Sequence, residues 1–393
     1  MAYKQLLDEG IKGKERWKVM YDVVTNGRTT RKRMSKTFPV GTSMTVINRF
    51  IRQVEQEKDE GIFVDYTKRT FADFGDEYFE KHTRFISPTT LEGYLQMYNS
   101  PKNGLKKYFG DIKLDKLVTT TIQDYINNLS EEGLSSKSIK NRAMLMHVMI
   151  AKAIRLNYLK KGYNPVEEVE LPKIRKKPVE AYTVEEVKKL LEIADKYGSE
   201  NLKLIVYIML GTGVRKGELC SLTHDSIDLE KKQLFITNNR VQANGIVVTK
   251  EPKSAAGVRP IALPDAVVYL IKDSITNYKK RKLLYGDKFV DSRYLITRCT
   301  GEPLSPDSVY NIYRNFMKEH SKSLRYLSLH KLRHSFASIA ISNNTDIKTL
   351  QETLGHSQSS VTLDTYSHGY MEKKVSQAQM LDSTIFINSN IAL

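Results

Sequence analysis

Between Ser328 and Tyr366 the chain gathers residues suited to handling an anion. Ser328-Leu329-His330-Lys331-Leu332-Arg333-His334 is followed by Leu354-Gly355-His356, and then by Leu363-Asp364-Thr365-Tyr366. Read as a helix, the first piece puts His330, Arg333 and His334 at i, i+3 and i+4, on one face. Leu329, Leu332, Phe336, Ile339 and Ala340 fall on a neighbouring stripe that can bury and hold the polar face still. Two imidazoles and a guanidinium on a fixed face suit an oxyanion or a phosphate. A helix with a solvated basic face has the same spacing, so this stretch leaves both readings open.

Composition narrows the partner. The 393 residues suggest two or three domains, and their formal net charge is +17. An excess of that size points to a polyanion, most often nucleic acid, although ribosome-associated and membrane-surface proteins share it. No apolar run is long enough to span a bilayer, and the N-terminus has no apolar signal core. Two cysteines, Cys220 and Cys299, exclude a disulfide scaffold and a cysteine-rich zinc site and fit a reducing cytoplasm. No His, Cys or carboxylate cluster has metal-ligand spacing, and no Gly-Lys-Ser/Thr phosphate loop is present. Neither a metal, ATP nor another cofactor is expected.

The chain divides, in order, into parts that must position those residues. Residues 1–65 read as a small α+β unit. Trp17, Val19, Tyr21 and Val23 alternate with more polar neighbours as a strand does, and Asn26-Gly27 is a two-residue hairpin signal. The return strand carries Arg28, Arg31, Lys32, Arg33 and Lys36 with no acid among them. Thr42 or Ser43 can cap a helix whose apolar positions are Met44, Ile47, Ile51 and Val54, with Gly61 as a stop. The basic hairpin is either a DNA-binding sheet or a solvated face.

Residues 66–170 read as a helical bundle. Its segments open at Thr70 and at Ser87-Pro88-Thr89, then run from Val118 to Leu129 and from Ser135 to Tyr158. Lys137, Lys140 and Arg142 are available to phosphates from this bundle. Residues 171–181 contain Leu171-Pro172-Lys173-Ile174-Arg175-Lys176-Lys177-Pro178, an extended linker. Its cations Lys173, Arg175, Lys176 and Lys177 either lie along DNA or keep a tether soluble. From residue 182 to 393 a larger mixed domain follows. Thr183 caps a helix from Val184 to Lys196, and Leu202 to Leu210 is a buried apolar helix broken at Gly211-Thr212-Gly213. Val214 to Leu222 resumes as helix, with Arg215 in its first turn and Glu218 one turn on. Strands are expected at Leu234–Thr237, Ile246–Thr249 and Val258–Leu263, with Lys250 and Lys253 on or near a hairpin, and helix thereafter.

Four separated motifs in this last part resemble those of the tyrosine recombinases, the integrases of phages and integrative conjugative elements. They are Thr212-Gly213-Val214-Arg215-Lys216-Gly217-Glu218-Leu219; Pro252-Lys253-Ser254 running to Val258-Arg259-Pro260-Ile261; His330-Lys331-Leu332-Arg333-His334; and Leu354-Gly355-His356 with Tyr366 ten positions on. The resemblance spans residues 182–368, and the two preceding domains more loosely. It implies a small α+β arm-binding domain, an all-α core-binding domain, and a mainly α catalytic domain with a small antiparallel sheet. It also implies that Tyr366 is the nucleophile, giving a 3′-phosphotyrosyl link and a free 5′-hydroxyl. Arg215 and Arg333 would clamp the non-bridging oxygens, and His356 would add a neutral donor. His330 would help move the tyrosine proton, and Lys253, with Lys250 close by as the alternative, would protonate the leaving oxygen. Glu218 orients its neighbours; His334 either donates to them or simply packs; Arg259 joins the candidate DNA contacts.

The implied partners are double-stranded DNA, a tetramer of this chain, a small excision directionality factor and a host DNA-bending protein, with no membrane. The implied setting is the bacterial cytoplasm, at the nucleoid. The implied function is integration and excision of a mobile element. A type IB topoisomerase and a non-catalytic regulator on the same scaffold are the rival readings.

Overall fold

The computed structural model describes residues 2–8, 15–25, 30–59, 69–156, 158–159, 162, 164–174, 179–251, 255–355, 378–382 and 384. The chain forms two compact units, residues 1–175 and 176–393.

The first unit opens with an antiparallel sheet in the order β1 (Tyr3–Asp8), β2 (Arg16–Thr25), β3 (Thr30–Thr37), followed by helix α1 (Met44–Asp59). The alternation in β2 turns Trp17, Val19 and Tyr21 toward Phe38, Met44, Ile47, Phe50 and Ile51, so α1 covers one face of the sheet. A three-stranded sheet this small needs such a cover to be stable. The first strand has no clear alternation and was not expected. The Asn26-Gly27 turn and Arg28 lie outside the described residues, and the last described pair is Thr25 with Thr30.

Register divides the basic residues of β3. Lys36 stands opposite Val19, on the helix side, with its ammonium 4.3 Å from the Phe50 ring centroid. Arg33 stands opposite Asp22 and pairs with it at 3.4 Å. For Arg31 and Lys32 the backbone pairing alone is described.

The rest of this unit is helical: α2 (Phe71–Lys81), α3 (Pro88–Asn99), α4 (Leu105–Phe109), α5 (Thr119–Glu131) and α6 (Ser136–Arg155). Thr70 and Asp73 close a capping box at the start of α2, and the hydroxyls of Ser87 and Ser135 cap α3 and α6. Phe71, Phe74, Tyr98, Phe109, Ile122, Tyr125, Met146 and Met149 make the core between them. The Met- and Ala-rich run in α6 is therefore packing. Lys137 is exposed and Lys140 half-buried, while the Arg142 guanidinium donates to Asn103 at 3.0 Å within the bundle.

The second unit is built on α8 (Glu200–Thr212), whose Leu202, Leu204, Ile205, Val206, Ile208 and Met209 are all buried. A helix apolar all round must be surrounded. Around it pack α7 (Val184–Tyr197), the single-turn α9 (Lys216–Leu219), α10 (Asp265–Tyr285), α11 (Pro306–Glu319) and α12 (Leu329–Ser342). Helix α13 (Ile347–Leu354) lies against α12.

Two small antiparallel sheets complete the unit. One has the order β4 (Ile227–Asp228), β5 (Gln233–Ile236), β8 (Arg259–Ala262); the other pairs β6 (Asn239–Ala243) with β7 (Ile246–Lys250). The expected strands exist, but β7 and β8 belong to different sheets. Residues 289–305 are not helical; their backbone is held by isolated bridges, Thr223 to Tyr294 and Thr297 to Pro303.

Helix α12 is tied to the start of this unit through Ser335, which is fully buried. Its hydroxyl accepts from the Tyr182 backbone N–H at 2.8 Å and donates to the Lys331 carbonyl at 2.9 Å. Ser335→Ala leaves a buried N–H without its acceptor. That should cost about 1–3 kcal/mol, read as a lower urea midpoint at unchanged slope. A midpoint equal to wild type would show that the bond does not anchor α12.

Candidate active site

The C-terminus of α13 organises the site. A helix leaves its last carbonyls without intrahelical donors. Here three consecutive ones, Thr353, Leu354 and Gly355, accept from three different arginines: Arg259 Nε at 2.6 Å, an Arg333 terminal nitrogen at 2.7 Å, and an Arg215 terminal nitrogen at 3.0 Å. Arg333 also donates to the Gly213 carbonyl at 2.6 Å, at the C-terminus of α8. It thus joins the negative ends of two helices, where a cation is favoured. Gly213 and Gly355 both take left-handed backbone, φ 66° and 63°. A side chain at Gly213 would also meet the Phe336 ring, and one at Gly355 the Arg259 guanidinium.

Glu218 is the anionic counterpart and is 3% exposed. One oxygen accepts from Arg215 at 2.7 Å and Arg259 at 3.2 Å; the other accepts from the Arg215 backbone N–H and from Arg259, both at 2.9 Å. Burial alone would raise its pKa. The hydrogen bonds and charge of Arg259, then those of Arg215, outweigh burial and hold it below the usual carboxylate value. Arg215 caps α9 rather than lying inside a longer helix, and its side chain keeps 39% of its surface exposed.

On α12 the described site residues converge as the spacing predicts. His330 and His334 stand edge to face, ring centroids 4.9 Å apart. His330 is exposed, yet partial burial and then the charges of Arg333, Arg215 and Lys331 push its pKa below the ordinary histidine value, so it is neutral near pH 7. Arg333 is not on a solvated face: it is 3% exposed. The apolar stripe is also shifted from expectation. Leu329, Leu332, Ser335, Ala337 and Ile341 are buried, while Phe336, Ile339 and Ala340 are half-buried.

Arg215, Glu218, Arg259, His330, Arg333 and His334 are thus brought to one end of the unit. Lys250 ends β7, half-buried. Lys253, His356 and Tyr366 lie outside the described residues, as do Arg175, Lys176 and Lys177; Lys173 is exposed. Sequence reading missed the inward position of Arg259. The signal was there: it shares strand parity with the buried Ile261. Among the described residues no group of three His, Cys, Asp or Glu side chains is placed to hold a metal ion, and no helix is long and apolar enough to cross a membrane.

This arrangement of helices and small sheets is shared with known proteins. The phage integrase family matches residues 180–373, and the phage integrase N-terminal SAM-like domain matches residues 70–130. A tyrosine recombinase XerC-like protein of Caldanaerobacter subterraneus is 24% identical over 355 residues, 84% of this chain and 89% of the relative. The ICEBs1 integrase of Bacillus subtilis is 24% identical over 347 residues, 85% and 92% of the two chains. In solved structures, the Tn1549 transposon integrase in complex with transposon right end DNA superposes with a TM-score of 0.65 at 22% identity, over 79% of this chain and 99% of that one. A lambda integrase dimer bound to a core site gives 0.56 at 18% identity, over 92% and 94%. The chain belongs to the phage integrase family, the tyrosine recombinases.

Removing the carboxylate charge tests the electrostatics. Glu218→Gln leaves Arg259 buried without its counter-charge and should cost about 3 kcal/mol at pH 7. Because the folded pKa of Glu218 is depressed, its contribution is complete above the unfolded value of about 4.3 and is lost as pH falls through the lower folded value. The stability gap between the two proteins should therefore shrink steadily as pH falls below about 4.3; a gap that does not shrink with acidification would mean that the carboxylate is not the source.

Proposed function

We propose that this site-specific recombinase cuts and rejoins double-stranded DNA through a covalent 3′-phosphotyrosyl intermediate, integrating and excising a mobile element. The observation that carries this is the set of three arginines on the end of α13 with His330 and His334 edge to face beside them. Phosphoryl transfer is mostly positioning and neutralisation of the non-bridging oxygens. Arg215 and Arg333 supply rigid donor forks for those oxygens. His330 takes up the proton of Tyr366 as its oxygen attacks phosphorus, and His356 adds a donor. The 5′-oxygen leaves with a proton from Lys253, so the phosphodiester energy is kept in the tyrosyl bond. A 5′-hydroxyl of the second strand then attacks and reverses the step.

The domain reading supports the same function. Residues 1–65 serve as an arm-type DNA-binding domain, 66–170 as a core-binding bundle, 171–181 as a linker and 182–393 as the catalytic domain. DNA as partner is supported by the Tn1549 and lambda integrases, each solved with DNA. We assign the working form as a tetramer on two DNA sites, assisted by a directionality factor and a host bending protein, in the bacterial cytoplasm at the nucleoid.

Three experiments test this reading. Tyr366→Phe should bind a nicked core-site duplex as wild type does and form no covalent adduct; an adduct formed by that variant would remove Tyr366 from its role. A 5′-bridging sulfur leaves without a proton, so it should rescue cleavage by Lys253→Ala; rescue of Lys250→Ala instead would move the general acid to Lys250. A chain starting at Tyr66 should still cut core-site DNA and lose a second, salt-sensitive binding site. Retention of both sites would make the β3 cations a solvated face.

A further inference from the structure

Arg259 is poorly placed to meet DNA. It is 7% exposed, and its guanidinium donates to both oxygens of Glu218, to the Gly257 carbonyl at 3.0 Å and to Thr353 at 2.6 Å. All three nitrogens of that guanidinium already donate within the protein, and two of them are held by a buried carboxylate. The fork also spans three elements, because Arg259 belongs to β8, Glu218 to α9 and Thr353 to α13.

Resting on the reading of Arg215 as a phosphate clamp, we infer that Arg259 is a positioning residue. It locks Glu218 in one rotamer, and through it fixes Arg215 against the end of α13. The shared acceptors make the case. Each Glu218 oxygen takes one donor from Arg215 and one from Arg259, so the carboxylate is held from two sides. Without Arg259 the carboxylate keeps its Arg215 donors alone and can turn with them, and the α13 terminus loses its bond at Thr353. Arg215 then swings on a looser mount. A lysine cannot replace the fork, since one ammonium cannot face Glu218 and Thr353 with the planar geometry that holds them. Arg259 touches no substrate; its effect reaches the reaction through the charge that Arg215 presents.

That route makes a readout that general destabilisation would not produce. Replacing a charged non-bridging oxygen at the scissile phosphate by a methyl group removes the charge that Arg215 neutralises. The full-length chain and its Arg259→Lys and Arg259→Gln variants are compared on a nicked core-site duplex, with either a native phosphate or a methylphosphonate at the scissile position. Each variant should bind DNA within about twofold of wild type, form adduct about 10- to 100-fold more slowly on phosphate, and come within about threefold on methylphosphonate. The inference is overturned if either variant cuts phosphate at the wild-type rate, if both substrates slow equally, or if DNA affinity and its salt slope fall as a lost phosphate contact requires. Arg215→Ala, run alongside, separates the two levels: wild-type cutting of phosphate by Arg215→Ala would defeat the active-site reading itself, whatever Arg259 does.

Discussion

Unsatisfied carbonyls at the end of one short helix dictate the shape of the catalytic unit. Thr353, Leu354 and Gly355 need donors, and three arginines from three separate elements supply them. Each arginine is anchored elsewhere as well: Arg333 to Gly213 at the end of α8, Arg259 and Arg215 to Glu218. The end of α13 therefore cannot move without disturbing α8, α9, α12 and β8. Charge-assisted bonds of this kind are about twice as strong as neutral ones, and their geometry is directional.

The glycines follow from that constraint. Carbonyls of residues 213 and 355 must turn toward arginines on other elements, and a left-handed residue at a helix end provides that turn. Space excludes a side chain in both places, since Phe336 and Arg259 lie within van der Waals reach. The left-handed cap and the close packing thus impose the same residue.

What was legible in the sequence had a local cause. Thr70, Ser87, Ser135 and Thr183 announced helices because capping acts over three residues, and the α8 run was plainly buried because nearly every position in it is apolar. His330, Arg333 and His334 were legible because helical spacing puts them together. What escaped depended on distant partners. Arg259 reads as one more cation in a basic chain until Glu218, 41 residues away, and Thr353, 94 away, are brought to it. The separation of β7 from β8 was equally hidden, since short strands carry no label for their neighbours. In β3, a run of basic residues looked like one surface, yet strand parity sends Lys36 over Phe50 while Arg33 faces Asp22 on the other side.

On the function proposed above, the charge balance of the site would favour a phosphodiester before one arrives. Among the described residues three guanidiniums meet at the end of α13, two of them on the Glu218 carboxylate, and partial burial followed by the charge of its cationic neighbours lowers the pKa of His330. The ends of α8 and α13 contribute partial negative charge, roughly half a unit each at full strength. With Glu218 counted, the three arginines keep about one unit of positive charge, before any lysine is added. A second carboxylate would make the cluster more comfortable as a folded core and remove its attraction for DNA. Without Glu218, Arg215 and Arg259 would lose their shared counter-charge and repel one another. Among the described residues one buried carboxylate, Glu218, holds Arg215 and Arg259 in place, and on the proposed function the remaining positive charge is left for the scissile phosphate.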